Sequence, residues 1–232
     1  MARRVSVKIE AVSAELFAPE AGFPDFSHEE MLMARGARYV AGVDEAGRGP
    51  LAGPVVVAAV RLDPARIPSG LNDSKKLTAE RRDTLYAEIM ASADVAIATA
   101  PPSDILNLNI RGATLAAMAR AVSALPRVAD RALVDGRDVP PGLPCPGIAL
   151  IGGDGRSVSI AAASIIAKVT RDRMCAIMDC DAPHFGFSGH KGYGTQAHLS
   201  ALDLHGPCRH HREAFAPVAA LLLRKTTVVV TG

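Results

Sequence analysis

The sequence predicts an α/β protein organised around a mixed central β-sheet. Three observations carry that expectation. Short β-branched apolar runs alternate along the chain with longer stretches of helical period. Glycine and proline separate the first two runs, and Pro101-Pro102 stops the third. Three strand-like segments finish in acid: Val43-Asp44-Glu45, Val134-Asp135-Gly136 and Gly153-Asp154-Gly155.

In chain order, residues 1–38 show no sustained period and read as an N-terminal arm. Tyr39–Val43 and Val55–Leu62 are β-branched and apolar, which suggests two strands joined by a turn. A helix fits Thr78 to Ala91, with Thr78 as N-cap and an apolar stripe of Leu85, Ile89 and Met90. Asp94–Thr99 reads as a third strand. Residues 110–125 are helical in period, with Leu115, Met118, Val122 and Leu125 on one face. Ala132–Val134 and Ile148–Ile151 are short buried strands, and the Ala-rich run from Ser157 to about Met178 is a long, largely buried helix. Further helices fit Gln196–Leu204 and Pro217–Leu223. The last residues, Thr226–Gly232, are β-branched and suit a tail strand or a disordered end.

Composition narrows the classes. With 49% hydrophobic and 22% charged residues, the 232-residue chain suits one globular domain rather than a disordered polymer. A net charge of +2 decides nothing about nucleic acid, because distribution matters more than the sum. The longest apolar stretch, Val158 to Ala167, contains Ser159 and Ser164 and is far short of the roughly 20 residues that span a bilayer. Lys8, Glu10 and Glu15 interrupt any apolar signal core, so a cytoplasmic location is the default expectation. Cys145, Cys175, Cys180 and Cys208 form no CxxC pair and read as free thiols; Cys208 with His210 and His211 lacks the second ligand pair of a zinc site.

The acids carry the chemistry. A rigid sheet positions functional groups at its strand ends, where several ends converge. Hard carboxylate oxygens without nearby thiol or imidazole suit Mg²⁺ or Mn²⁺. Asp135 and Asp154 taken singly also fit ordinary Asp-Gly turns. Asp44-Glu45, a charged pair directly after a buried strand, needs a partner. Neighbouring side chains of a regular strand point to opposite faces, so a shared site calls for a bend, for which Ala46-Gly47 is the candidate.

Five blocks in order resemble the ribonuclease HII family. They are Asp44-Glu45-Ala46-Gly47-Arg48-Gly49-Pro50-Leu51-Ala52-Gly53-Pro54, Asn72-Asp73-Ser74-Lys75-Lys76-Leu77, Val134-Asp135-Gly136, Ser159–Arg173 and His190-Lys191-Gly192-Tyr193-Gly194-Thr195. The resemblance spans about Tyr39 to Val218, which implies a catalytic domain at 39–218 between the arm and a tail at 219–232. It implies a ribonuclease H-like fold, with a mixed sheet flanked by helices and a small helical C-terminal portion. It also implies cutting of the RNA strand in RNA–DNA hybrids and nicking 5′ to ribonucleotides embedded in duplex DNA, leaving 3′-hydroxyl and 5′-phosphate ends. Asp44, Glu45, Asp135 and Asp154 match the family's four catalytic acids, although Gly155-Arg156 departs from the pair that commonly follows the last. Two divalent ions about 4 Å apart would then promote the hydrolysis, with Asp44 bridging, Glu45 and Asp135 on one ion and Asp154 on the other.

Ribonucleotide selection must sense a 2′-hydroxyl. By resemblance, Gly47-Arg48-Gly49 contacts that group and Tyr193 packs on the neighbouring sugar. Ser74, Lys75, Lys76, Lys168, Arg171, Arg173, His190 and Lys191 are the phosphate candidates. Lys168 also fits an i, i+4 ion pair with Asp172, which reads as structural. The family suggests a monomer. Two other classes use some of the same residues: a small-phosphate hydrolase built on the same acids, and a binding module without catalysis.

Overall fold

The computed structural model describes residues 22–229. Five strands, β1 (Val40–Ala46), β2 (Val55–Arg61), β3 (Asp94–Ala100), β4 (Arg131–Asp135) and β5 (Gly147–Leu150), form one sheet in the order β3-β2-β1-β4-β5. The β1–β2 and β2–β3 pairs are antiparallel, while β1–β4 and β4–β5 are parallel, so the sheet is mixed as expected. β2 is buried at every position, which explains its unbroken apolar run.

Alternation along the strands divides the core between two faces. Ala41, Val43, Val55, Val57 and Val134 pack against Leu115, Met118 and Val122 of helix α3 (Pro102–Ser123). Ala58 and Val60 pack against Ile165 and Ile166 of helix α4 (Val158–Asp181) and against Leu85 and Ile89 of helix α2 (Ala79–Ser92). The first half of α4 is built from small residues and therefore approaches β1 closely. A Cβ on Gly42 would stand 2.1 Å from the carbonyl carbon of Ser159, so only glycine admits that backbone-to-backbone contact.

Some elements differ from the sequence expectation for identifiable reasons. α3 begins at Pro102 rather than 110; Asn109, at φ 56°, interrupts it, so helical period shows only in its second half. Its side chain accepts the N–H groups of Arg111 and Gly112, acting as an internal cap for the half that shows helical period. Met90, expected in the apolar stripe of α2, is 46% exposed. Ser27–Ala34, placed in the arm, form helix α1. Its Glu29 is fully buried and accepts bonds from Ser157 Oγ (2.6 Å) and Ser159 N (3.0 Å) at the start of α4. Residues 1–21 of the arm lie outside the described residues.

The C-terminal portion is helical: α5 (Phe187–His190), α6 (Gln196–His205) and α7 (Ala216–Val229). Phe185, Phe187, Leu202 and Val218 gather around Leu51 and Ala52 from the β1–β2 connection. α7 continues through 226–229, so helix replaces the expected strand or disorder there; 230–232 lie outside the described residues.

Candidate active site

A cleft of about 510 Å³ opens at the end of the sheet where β1 and β4 stop, with Asp44, Glu45 and Asp135 in its wall. Val43 is level with Val134 across the parallel pair, which places Asp44 and Asp135, the next residue of each strand, side by side. Asp135 Oδ1 accepts the N–H of Gly153 at 2.7 Å. That bond ties β4 to the turn Gly153–Gly155, which carries Asp154 and is reached through a left-handed Gly152 at φ 63°. Asp154 is not in the cleft wall itself; its Oδ2 lies 3.5 Å from Nζ of Lys75, which is.

The bend expected at Ala46-Gly47 is not what brings the two neighbouring acids to one site. β1 pairs regularly with β2 through Asp44↔Ala58, Glu45↔Val57 and Ala46↔Val56, and the chain turns only at Gly47, φ 95°. Asp44 therefore shares the α4 side with Gly42, whereas Glu45 leaves towards α3 and lines a small recess with Thr114 and Met118. Both still reach the cleft because the sheet ends there, and Asp135 lines the cleft and the recess alike.

Burial holds all four carboxyls above their ordinary range, and acidic neighbours add to it for Asp44, Glu45 and Asp154. Asp44 stands well above it, through burial first and then the charges of Asp135, Glu45 and Asp154. Burial raises Glu45, Arg48 pulls it partly back, and Asp135 raises it again. Burial raises Asp135 against the opposing bond from Gly153. Asp154 is raised by burial, Asp135 and Asp73, against the pull of Lys75. Asp135 thus acts on each of the other three. Among the described residues, no three side chains of ligand type stand close enough to clasp an ion as they are. The donor chemistry nevertheless fits a hard divalent cation: the acids offer only oxygen, and their shared repulsion is what a cation would relieve.

The connection after β1 forms the second wall. Leu51 N–H donates to Gly192 O at 2.8 Å, and a Cβ on Gly192 (φ 80°) would lie 2.6 Å from Ala52 O, so this segment and the Lys191–Tyr193 loop are packed backbone to backbone. Gly49 faces the ring of Tyr193, with its ideal Cβ position 3.5 Å from Cε1. Tyr193 is half exposed and lines the cleft.

The family model described as Ribonuclease HII matches residues 41–218. The chain belongs to the ribonuclease HII family. It is 57% identical over 202 residues to the ribonuclease HII of Sinorhizobium fredii, covering 87% of each chain. It is 59% identical over 194 residues to that of Xanthobacter autotrophicus, covering 84% of this chain and 78% of the relative. Among solved structures it resembles the ribonuclease H2 of Pyrococcus horikoshii, with a TM-score of 0.68 and 27% identity over 80% of this chain and 98% of that one. The RNase HII of Archaeoglobus fulgidus, solved in complex with PCNA, superposes with a TM-score of 0.66 and 27% identity over 76% of this chain and 95% of that one. As a member of the ribonuclease HII family the chain is an endoribonuclease that acts on RNA–DNA hybrids.

Within this ribonuclease HII framework the basic residues divide. Ser74, Lys75 and Lys168 line the cleft, whereas Lys76 and Lys191 are not in its wall. Lys168 Nζ is 2.7 Å from Asp172 Oδ1, the ion pair anticipated from their spacing. Lys191 donates from Nζ to Ser188 O. Arg171 also lines the cleft. It is 1% exposed, and its guanidinium donates to Pro54 O, Ala52 O and Lys191 O, so it ties the loops of the cleft together.

Arg212, His198 and Arg82 escaped the sequence reading, and His211 entered it only as part of a rejected zinc site. Arg212 is fully buried and bonded to the carbonyls of Gly47, Arg48 and Gly53; burial and the neighbouring Arg171 bring it down to about 9. His198 and His211 form a directed chain. Cys208 N–H donates to His211 Nδ1, so His211 Nε2–H faces His198 Nε2 at 3.1 Å, and His198 Nδ1–H donates to Tyr193 O at 2.9 Å. Arg82 lines the cleft and bonds Ser74 O and Leu77 O. His198 alone had a signal, its i, i+4 spacing from Leu202 on the buried face of α6.

Proposed function

We propose that this cleft hydrolyses the RNA strand at the acid cluster and also nicks duplex DNA 5′ to a single embedded ribonucleotide, leaving 3′-hydroxyl and 5′-phosphate ends. The observation that carries the reading is the meeting of Asp44 and Glu45 with Asp135 and Asp154 at one end of the sheet, each carboxyl raised by burial and, for three of them, by its acidic neighbours. Mg²⁺ or Mn²⁺ held by these four acids would supply an activated water and neutralise charge on the leaving 3′-oxygen. Lys75, beside Asp154, and Lys168 bring positive charge to the cleft for the backbone phosphates. The exposed Tyr193 ring beside Gly49 offers a surface for the sugar next to the ribonucleotide. Gly47-Arg48-Gly49 supplies backbone groups for its 2′-hydroxyl. The same reading makes residues 39–218 the catalytic unit of a monomer working in the cytoplasm on hybrids and on ribonucleotide-containing DNA.

The test is a DNA duplex carrying one ribonucleotide, incubated with Mg²⁺ or Mn²⁺. The reading expects a single nick 5′ to that residue, carrying a 3′-hydroxyl. Turnover of small phosphate esters without nicking contradicts it, as does duplex binding without any cleavage.

A further inference from the structure

Arg212 lies 164 residues after Arg48 in the chain, yet it is bonded to the very segment proposed to read the ribose. Its guanidinium is fully buried and, among the described residues, bonds to no carboxylate. Nη2 donates to Gly47 O at 2.5 Å, Nη1 to Arg48 O at 2.8 Å and Nε to Gly53 O at 2.9 Å. Burying a guanidinium against carbonyl dipoles and the Phe215 ring, 5.2 Å away, with no counter-charge, is an expensive way to hold a loop, and an apolar side chain could fill the volume. The arrangement therefore calls for a reason beyond packing.

Peptide geometry supplies one. In a trans peptide the C=O of one residue and the N–H of the next point in opposite directions, and the described residues contain no cis bond. Two successive carbonyls, of Gly47 and Arg48, are drawn inward to Arg212. The N–H groups of Arg48 and Gly49 must then turn outward, to the cleft that Arg48 and Gly49 line. Two adjacent donors facing the same way make a concave seat for an oxygen acceptor.

We propose that Arg212 is the positioning residue for ribose recognition: by holding the Gly47 and Arg48 carbonyls inward, it aims the Arg48 and Gly49 amides at the 2′-oxygen of the ribonucleotide. Arg171 packs on the same turn, where its Nε would lie 1.8 Å from a Cβ on Gly47. Arg212 itself never touches the substrate. The inference rests on the function proposed above and adds to it which side chain sets the selecting donors.

The experiment compares duplexes with one ribonucleotide or none, bound in metal-free buffer by wild type and by Arg212→Lys, which can hold one carbonyl but not three. Wild type should prefer the ribonucleotide duplex by about 10-fold or more, the worth of one well-made hydrogen-bond pair. In Arg212→Lys that preference should collapse to within about 2-fold, with affinity for the all-DNA duplex kept. A preference that survives, or two affinities that fall together, overturns the assignment. If the lysine variant does not fold, amide resonances of wild type decide. The Arg48 and Gly49 N–H signals should move on adding the ribonucleotide duplex and not the all-DNA one, and equal responses overturn the proposal. Nicking by wild type is scored separately. Nicking with no ribose preference sinks the role of Arg212 alone, whereas no nicking sinks the functional reading beneath it.

Discussion

Replacing Asp44 by Asn should destroy cleavage and at the same time make the metal-free protein more stable. Asp44 is 5% exposed, and the hydrogen bond it accepts comes from the N–H of its own neighbour, Glu45. Asp135 stands level with it on the adjacent strand. Neighbouring strands lie about 4.8 Å apart, so the two carboxylates are roughly 5–7 Å from each other and, at an effective dielectric near 20, repel by about 2–3 kcal/mol. Asparagine keeps the shape and removes that repulsion. A gain of about 2 kcal/mol in a chain of this length corresponds to a Tm about 4–8 °C higher. The sign with pH follows from the raised carboxyl. Its folded value lies above the unfolded one, so wild type pays no penalty below the unfolded value, and the gap opens as pH rises towards the folded one. The assay is thermal melting in EDTA from pH 4 to pH 8. Asp44→Asn and wild type should converge at the acid end and separate towards neutrality. Adding Mg²⁺ or Mn²⁺ should then raise wild type, by about 1.4 kcal/mol at ten times the dissociation constant, and the variant much less. An Asn variant that melts at or below wild type in EDTA at neutral pH would refute the repulsion argument.

Other perturbations follow from the same geometry. Gly42→Ala drives a methyl to within 2.1 Å of the α4 backbone and should cost about 3 kcal/mol, seen as a lower urea midpoint with an unchanged slope. Tyr193→Phe should leave the urea midpoint within about 0.5 kcal/mol, since the ring is half exposed, while slowing cleavage at a single embedded ribonucleotide; equal rates would remove its hydroxyl from the account. His211 is brought down to about 4 by burial, so stability that is full above pH 6.5 should drain away as pH falls towards 4, by up to about 3 kcal/mol. His211→Phe should flatten that acid limb in a denaturant titration, at the expense of stability near neutrality.

The parts of the site that were legible in the sequence are those whose local pattern coincides with their role. Asp44, Asp135 and the turn bearing Asp154 each follow a short apolar strand, and a strand end is a local feature. The sheet order and the regularity of β1 were not local. The two adjacent acids suggested a bend, but they share the cleft because β1 and β4 end together, a fact set by pairing across residues far apart in sequence. The loop-tying contacts of Arg171 and Arg212 were not local either. A charged residue near the polar end of a helix, or within His210-His211-Arg212-Glu213, reads as surface, and only the fold shows that backbone carbonyls of a distant loop satisfy its donors. The first half of α3 was hidden because Asn109 breaks the helical period that would have revealed it. α1 was hidden because its anchor, Glu29, is a charged residue buried against the start of a helix 128 positions away.

The central claim is that four acids from two strand ends and one turn make a single metal-dependent nuclease centre. Asp135 tests it most directly, because it acts on each of the other three. The measurement is the rate at which Asp135→Asn nicks a duplex bearing one ribonucleotide, across a titration of Mg²⁺ and Mn²⁺ and beside wild type. The account predicts a rate lower by about 1,000-fold or more that additional metal does not restore. A variant that nicks at near wild-type rates, with the same metal dependence, would contradict it.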